Sequence, residues 1–265
     1  MHLQRWLTSL IALPLLLYII LWGPPLIFLL LLVLISSAAH WEYLTICGLG
    51  QTPTARALGL GLGLIVLLGF FSDQPYLPGF CLTAGMLVYF LFFLLKFEEF
   101  PHLLPELALS CLGLCYVPFL VGHFYWLWQA PPDRLWLLWL LAVIFAGDTG
   151  AFYFGRWFGV RKLYPLVSPG KTVAGALGGL AASLTIGLGL GLWLPLGVAL
   201  PMLTGLTLVA ALVGQFGDLF ESMLKRRAQV KDASSILPGH GGMLDRLDSL
   251  SFTAAVLFYL RILLP

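Results

Sequence analysis

Apolar residues run in long blocks along this chain, at 6–22, 25–47, 57–72, 77–95, 103–128, 135–155, 173–193, 198–220 and 248–264, with Pro, Gly or charged residues between them. A membrane-crossing helix needs roughly 20 mostly apolar residues. The pattern therefore predicts an all-α, polytopic integral membrane bundle of about nine transmembrane helices. Gly23-Pro24-Pro25 is the only break between the first two blocks and reads as a turn in preference to a kink. A cleaved signal peptide is the competing reading of the first block, but no convincing small-residue cleavage site follows it.

Composition supports the membrane class, since 60% of residues are hydrophobic and 10% charged and the mean hydropathy is +0.97, well outside soluble usage. The formal net charge of +2 says little by itself and suggests no nucleic-acid partner. Its distribution is more telling, because Lys and Arg are retained on the cytoplasmic side during insertion. With nine spans and a cytoplasmic N-terminus, all of the 14 Lys and Arg residues except Arg134 and Arg261 fall on one side. The count places loops 156–172 and 221–247 in the cytoplasm and the C-terminus outside. The placement of polar residues divides the chain into N-terminal transmembrane scaffold helices over 1–130, where dimer contacts are expected, and a C-terminal catalytic transmembrane region over 131–265.

The N-terminal half offers little chemistry. Cys47, Cys81, Cys111 and Cys115 lie in or at the ends of spans, without acidic or His partners at ligand spacing, and read as small apolar fillers. His40, Glu42, Lys96, Glu98, Glu99 and His102 lie near span ends and read as solvated or snorkelling side chains. Phe90, Phe92, Phe93 and Phe97 read as lipid-facing or packed. Glycines at 59, 61, 63, 175, 178, 179, 187, 189 and 191 read as close-approach positions between helices.

Polar residues enter the apolar blocks in the C-terminal half. Asp148, in IFAGDTGAFYFG, is well inside the sixth span, where an ionisable group by default faces the bundle interior or a water-filled cavity. SPGKTVAG, residues 168–175, lacks the glycine of a Walker A loop, with Pro165 in its place. It provides a turn, Ser168, Lys171 and Thr172 directly before the seventh span, suited to a phosphate contact or to a plain helix cap. In GQFGDLFESMLKRR, helical spacing puts Asp218, Glu221, Ser222 and Lys225 on one face. That face reads either as a metal site beside a phosphate site or as a helix end with a Glu221–Lys225 pair.

KDASSILPGHGGMLDRLDS, residues 231–249, is the most polar stretch between two apolar blocks. Its Pro238-Gly239 and Gly241-Gly242 pairs allow backbone amides to approach an anion, with His240 between them. Asp245 and Asp248 follow at helical spacing with Arg246 between. Mg²⁺ is bound through one or two carboxylates plus substrate phosphate oxygens more often than by a full protein cage. Carboxylates, cations and flexible backbone together point to phosphoryl or nucleotidyl transfer at the cytoplasmic face.

Ser222, Lys225-Arg226, Lys231-Asp232, Ser234, Leu237-Pro238, His240-Gly241-Gly242 and Asp245-Arg246-Leu247-Asp248 together resemble the signature of the phosphatidate cytidylyltransferase, or CDP-diacylglycerol synthase, family. The likeness extends to DTGAFYFG around Asp148, SPGKT around Lys171 and GDLFES around Asp218, covering roughly residues 145–250. It departs at Ala174, where family members often carry a polar or acidic residue, and so leaves a supporting role there in doubt. The N-terminal spans match only in being hydrophobic.

The resemblance implies that CTP and phosphatidate give CDP-diacylglycerol and pyrophosphate in phospholipid biosynthesis, at the cell inner membrane. It implies Mg²⁺, with paired metal ions and a bound K⁺ both within the family pattern. Asp218 and Asp245 are expected to hold metal, with Asp248 and Asp148 supporting. Lys225, Arg226, Lys231, Arg246 and Lys171 are expected to neutralise phosphates, with Ser168, Thr172, Ser222, His240, Gly241 and Gly242 as further contacts. Orienting Lys231 or Arg246 is one role open to Asp232, and the sequence does not decide it. A homodimer is the default expectation. The alternatives are a CDP-archaeol synthase or a polyprenol or dolichol kinase, and more remotely a transporter, which gives no reason for HGG followed by DRLD.

Overall fold

The computed structural model describes residues 13–49, 53–132, 134–234 and 241–263. Each apolar block is helical in its described part: α1 Leu13–Trp22, α2 Pro25–Ile46, α3 Pro53–Gly69, α4 Leu77–Leu95, α5 Leu103–Gln129, α6 Leu135–Phe158, α7 Val173–Trp193, α8 Leu200–Arg227 and α9 Leu244–Leu263. Among these, α2, α4, α5, α6, α7 and α8 are long and apolar enough to cross a membrane. Helices α1 and α3 are apolar but shorter, and α9 opens with Asp245, Arg246 and Asp248. Side chains such as Leu94, Leu95 and Trp193 are 69%, 76% and 85% exposed. Apolar surface of this kind is expensive in water and natural against lipid; the protein is a multi-pass membrane protein.

Local chemistry explains the irregularities. Helix α5 passes through a π turn at Cys115–Phe119, where Pro118 lacks the N–H that an α-turn requires. Helix α8 continues past the expected end at 220 to Arg227. Its last turn holds Lys225, Arg226 and Arg227, the charge that a helix C-terminus favours, and Lys225 pairs with Glu221 at 2.7 Å. Helix α9 also starts earlier than expected, at Leu244. The loop expected over 156–172 contains an antiparallel hairpin, β1 Lys162–Tyr164 and β2 Ser168–Thr172. Pro165 at the turn and the alternating residues of SPGKT are too short a pattern to announce strands.

The chain clusters into two compact units, one comprising residues up to Tyr125 together with Ala228–Asp245, the other Trp126–Arg227 with residues from Arg246 onward. In the first unit, Tyr43 donates its hydroxyl proton to the Leu109 carbonyl at 2.8 Å, tying α2 to α5. Phe93 is buried and stacks on Tyr89 and Phe100, whereas Phe90 and Phe97 are exposed. Lys96 and Glu99 form an exposed pair at 2.7 Å, in line with a solvated span end. His40 and Glu42 overturn that expectation: each is 1% exposed. Proximity to a span end does not bring solvent when neighbouring segments fold over it. The four cysteines are free and partly buried, as fillers would be.

In the second unit, α6 and α7 pack through small residues. A Cβ added at Gly150 would lie 2.5 Å from the Ala182 Cβ and 2.8 Å from the Gly178 carbonyl oxygen. Ser183 donates to the Val143 carbonyl at 2.9 Å and the Trp139 indole to the Gly187 carbonyl at 2.8 Å. Contact this close relies on van der Waals packing, because lipid gives helices no hydrophobic reason to associate. Gly150→Val should therefore lower the melting temperature in detergent, by overpacking worth about 1–3 kcal/mol or more. An unchanged melting curve would mean that α6 and α7 are not held at this distance.

Candidate active site

The approach of α6 to α7 leaves room beside it for a cavity of about 500 Å³. It is lined by Asp148, Phe152 and Arg156 of α6, Lys171 and Thr172 of the hairpin, Gly175 and Ala176 of α7, Gln215 and Asp218 of α8, and Ser249 of α9. A pocket with apolar walls and a few convergent charges is the usual form of a small-molecule site. Helical periodicity brings Asp148 and Asp218 to it, and the hairpin delivers Lys171.

Lys171 Nζ lies 2.8 Å from Asp218 Oδ2, while Ser222 approaches Asp218 Oδ1 at 3.5 Å. Asp148, Asp218 and Asp248 are near enough to repel one another electrostatically, with Lys171, Arg246 and Lys225 as the cations that offset them. Gly217 explains how Asp248 comes close: a Cβ there would sit 2.3 Å from the Asp248 carbonyl oxygen. The glycine before Asp218 thus seats the first turns of α9 on α8. Phe220 meets Phe252 edge to face on the same contact.

Thr172 is the N-cap of α7, its Oγ1 accepting from the Gly175 amide at 3.0 Å. Such a cap is worth about 1 kcal/mol. Arg226 donates from Nε to the Val167 carbonyl at 3.2 Å and so anchors the hairpin turn to the end of α8. Lys225 is held by the buried Glu221. Ser168 is partly buried on β2.

The first unit holds Lys231, Asp232, Gly241, Gly242 and Asp245. Gly241 has φ +79°, in the left-handed region that favours glycine. The amides of Gly242 and Ala233 donate to Asp245 Oδ2 at 2.7 and 3.0 Å. Asp245 therefore braces the loop with one of its oxygens. Lys231 and Asp232 are exposed, as is Arg246 at the start of the second unit. His240 lies outside the described residues. Sequence reasoning missed Glu42, whose carboxylate accepts hydrogen bonds from the Ser234 hydroxyl and the amides of Met243 and Leu244. The signal available was an acid in an apolar block, the same signal that drew attention to Asp148.

Among the described residues, no group of three His, Cys, Asp or Glu side chains is gathered at metal-ligand spacing. Mg²⁺ usually takes one or two carboxylates and completes its shell with water and substrate phosphate. The mutually repelling Asp148, Asp218 and Asp248 are hard oxygen donors that fit this mode.

The cytidylyltransferase family model matches residues 3–264. A protein named phosphatidate cytidylyltransferase from Staphylococcus saprophyticus is 40% identical over 158 residues, covering 59% of this chain and 60% of the relative. One of the same name from Staphylococcus aureus is 43% identical over 127 residues, 48% of this chain and 49% of the relative. Another from Staphylococcus epidermidis is 37% identical over 157 residues, 59% of this chain and 60% of the relative. The chain thus spans about half to three-fifths of the length of these relatives. With the family model matched almost from end to end, this chain belongs to the cytidylyltransferase family.

Proposed function

We propose that this protein transfers the cytidylyl group of CTP to phosphatidate, giving CDP-diacylglycerol and pyrophosphate, at the cytoplasmic face of the cell inner membrane. The observation that carries the reading is the convergence of Asp148, Lys171 and Asp218 on one cavity among membrane helices, in a chain of this family whose matched relatives bear the name phosphatidate cytidylyltransferase. Its basic loops support the cytoplasmic placement. A homodimer is retained as part of the proposal from family likeness.

An oxygen of the phosphatidate phosphate attacks the α-phosphorus of CTP, and the bond to the β-phosphate oxygen breaks with pyrophosphate taking the electron pair. A phosphate monoester loses its second proton near pH 6, so the nucleophile needs no strong general base. The protein's work is then positioning and charge neutralisation. Lys171 offsets phosphate charge in the cavity, and Lys225, Arg226 and Arg246 add positive charge from α8 and α9. Asp218, Asp248 and Asp148 would hold Mg²⁺, which would supply charge neutralisation for the triphosphate; the resemblance assigns a metal contact to Asp245 as well.

The test is pyrophosphate release by the purified protein in mixed micelles. Release should require CTP, phosphatidate and Mg²⁺ together, stop on adding EDTA, and be matched by CMP in the lipid fraction. Formation of a polyprenyl phosphate with CDP released would replace this reading with a kinase. No turnover of any CTP-dependent kind in well-folded protein would refute it.

A further inference from the structure

Glu42 lies on α2, some 200 residues before the loop it touches, and it is 1% exposed. One of its oxygens, Oε1, accepts the Ser234 hydroxyl proton and the Met243 amide, the latter at 2.9 Å. The other, Oε2, accepts the Leu244 amide at 2.7 Å. Leu244 is the first residue of α9, so this carboxylate meets amides that a helix start leaves without intrahelical partners, at the positive end of the helix dipole.

The surroundings are shaped for this contact. A Cβ at Gly242 would lie 2.7 Å from Glu42 Oε2 and 2.8 Å from the Ala233 Cβ. Only glycine there lets the carboxylate reach both flanks of the 235–240 segment. Asp245 braces the same loop from the other direction through the Gly242 and Ala233 amides. Two carboxylates thus hold four backbone amides and one hydroxyl. The amides of Gly242, Met243 and Leu244 are engaged by the protein's own acids.

We infer that Glu42 is a positioning residue for the reaction: it fixes the start of α9, and with it the direction in which Asp245 is presented. This rests on the cytidylyltransferase reading above for its catalytic consequence, though not for the contact itself. A buried acid with three donors from one loop has little freedom, and misplacing reacting groups by about 1 Å can cost about 100-fold in rate.

The experiment uses the full chain in mixed micelles, with Glu42→Gln as the near-isosteric variant and Ser234→Ala as the variant that removes one donor from the opposite side. Glu42→Gln puts an amide N–H₂ where an acceptor is needed. It should lower kcat about 10-fold or more with KM for CTP changed less than about 3-fold, and hydrogen exchange should quicken in the peptide 241–249 while that of α6 and α7 stays unchanged. Ser234→Ala should give a smaller loss that disappears in the Glu42→Gln background, since both act through one contact.

Unchanged kcat and unchanged exchange in Glu42→Gln would overturn the inference, as would faster exchange throughout the protein, which marks a general structural role. If the wild-type protein turns over no CTP, the enzymatic reading fails on its own. The exchange of 241–249 then still decides whether Glu42 holds the loop.

Discussion

Asp218→Asn should lower turnover by about 100-fold or more while leaving a folded protein, the scale on which removal of one electrostatic partner of a transition state is felt. Asp218 is where three influences meet: Lys171 at 2.8 Å, Ser222 on the same face of α8, and the negative fields of Asp148 and Asp248. The amide keeps the shape but removes the charge, so Lys171 faces a neutral group, and on the proposed reading Mg²⁺ would lose one of its carboxylates. Asp245→Asn should be comparably damaging. The measurements are pyrophosphate release at saturating CTP and a melting curve in detergent. Activity within about 5-fold of wild type in Asp218→Asn would remove this residue from the chemistry.

Gly217→Val is expected to damage packing and chemistry together. A Cβ at 217 would stand 2.3 Å from the Asp248 carbonyl oxygen and 3.1 Å from the Phe252 ring. The first obstacle is helix backbone and cannot rotate aside, so α9 must move off α8 and carry Asp248 with it. Overpacking of this kind costs about 1–3 kcal/mol or more, and the shift should lower kcat by about 10- to 100-fold. Gly205→Ala is the control on the same helix, since a Cβ there meets nothing within 4 Å. Its lower backbone entropy in the unfolded state should leave stability equal or slightly higher. Equal effects of the two variants would show that Gly217 does not set the α8–α9 distance.

The helices were legible because lipid imposes a single rule on backbone polar groups, and a long apolar block can meet it only as a helix. Asp148 was legible for the same reason, as an acid within such a block is costly unless the fold gives it a place. The spacing of Asp218, Glu221, Ser222 and Lys225 along one face was also readable, though not the choice between its two readings. The structure contains the Glu221–Lys225 pair of the plainer reading and, on the same face, the Asp218 contact with Lys171. Lys171 could not be assigned to Asp218 beforehand, because 47 positions separate them in the chain.

Glu42 shows where such reading ends. Near a span boundary, a carboxylate can be solvated or folded over, and the residues around it do not distinguish the two. What buries it is a loop some 200 residues later, and the same loop explains Gly242.

Composition, apolar periodicity and charge placement were thus enough to establish a membrane helix bundle and to mark its chemically unusual segments, because these depend on the local balance between backbone, side chain and solvent. Which acid meets which cation, which amides are already engaged, and which glycine admits a neighbouring helix depend on contacts between distant segments. Those were decided by packing, where fractions of an ångström at Gly150 and Gly217 determine whether the groups around the cavity can come together.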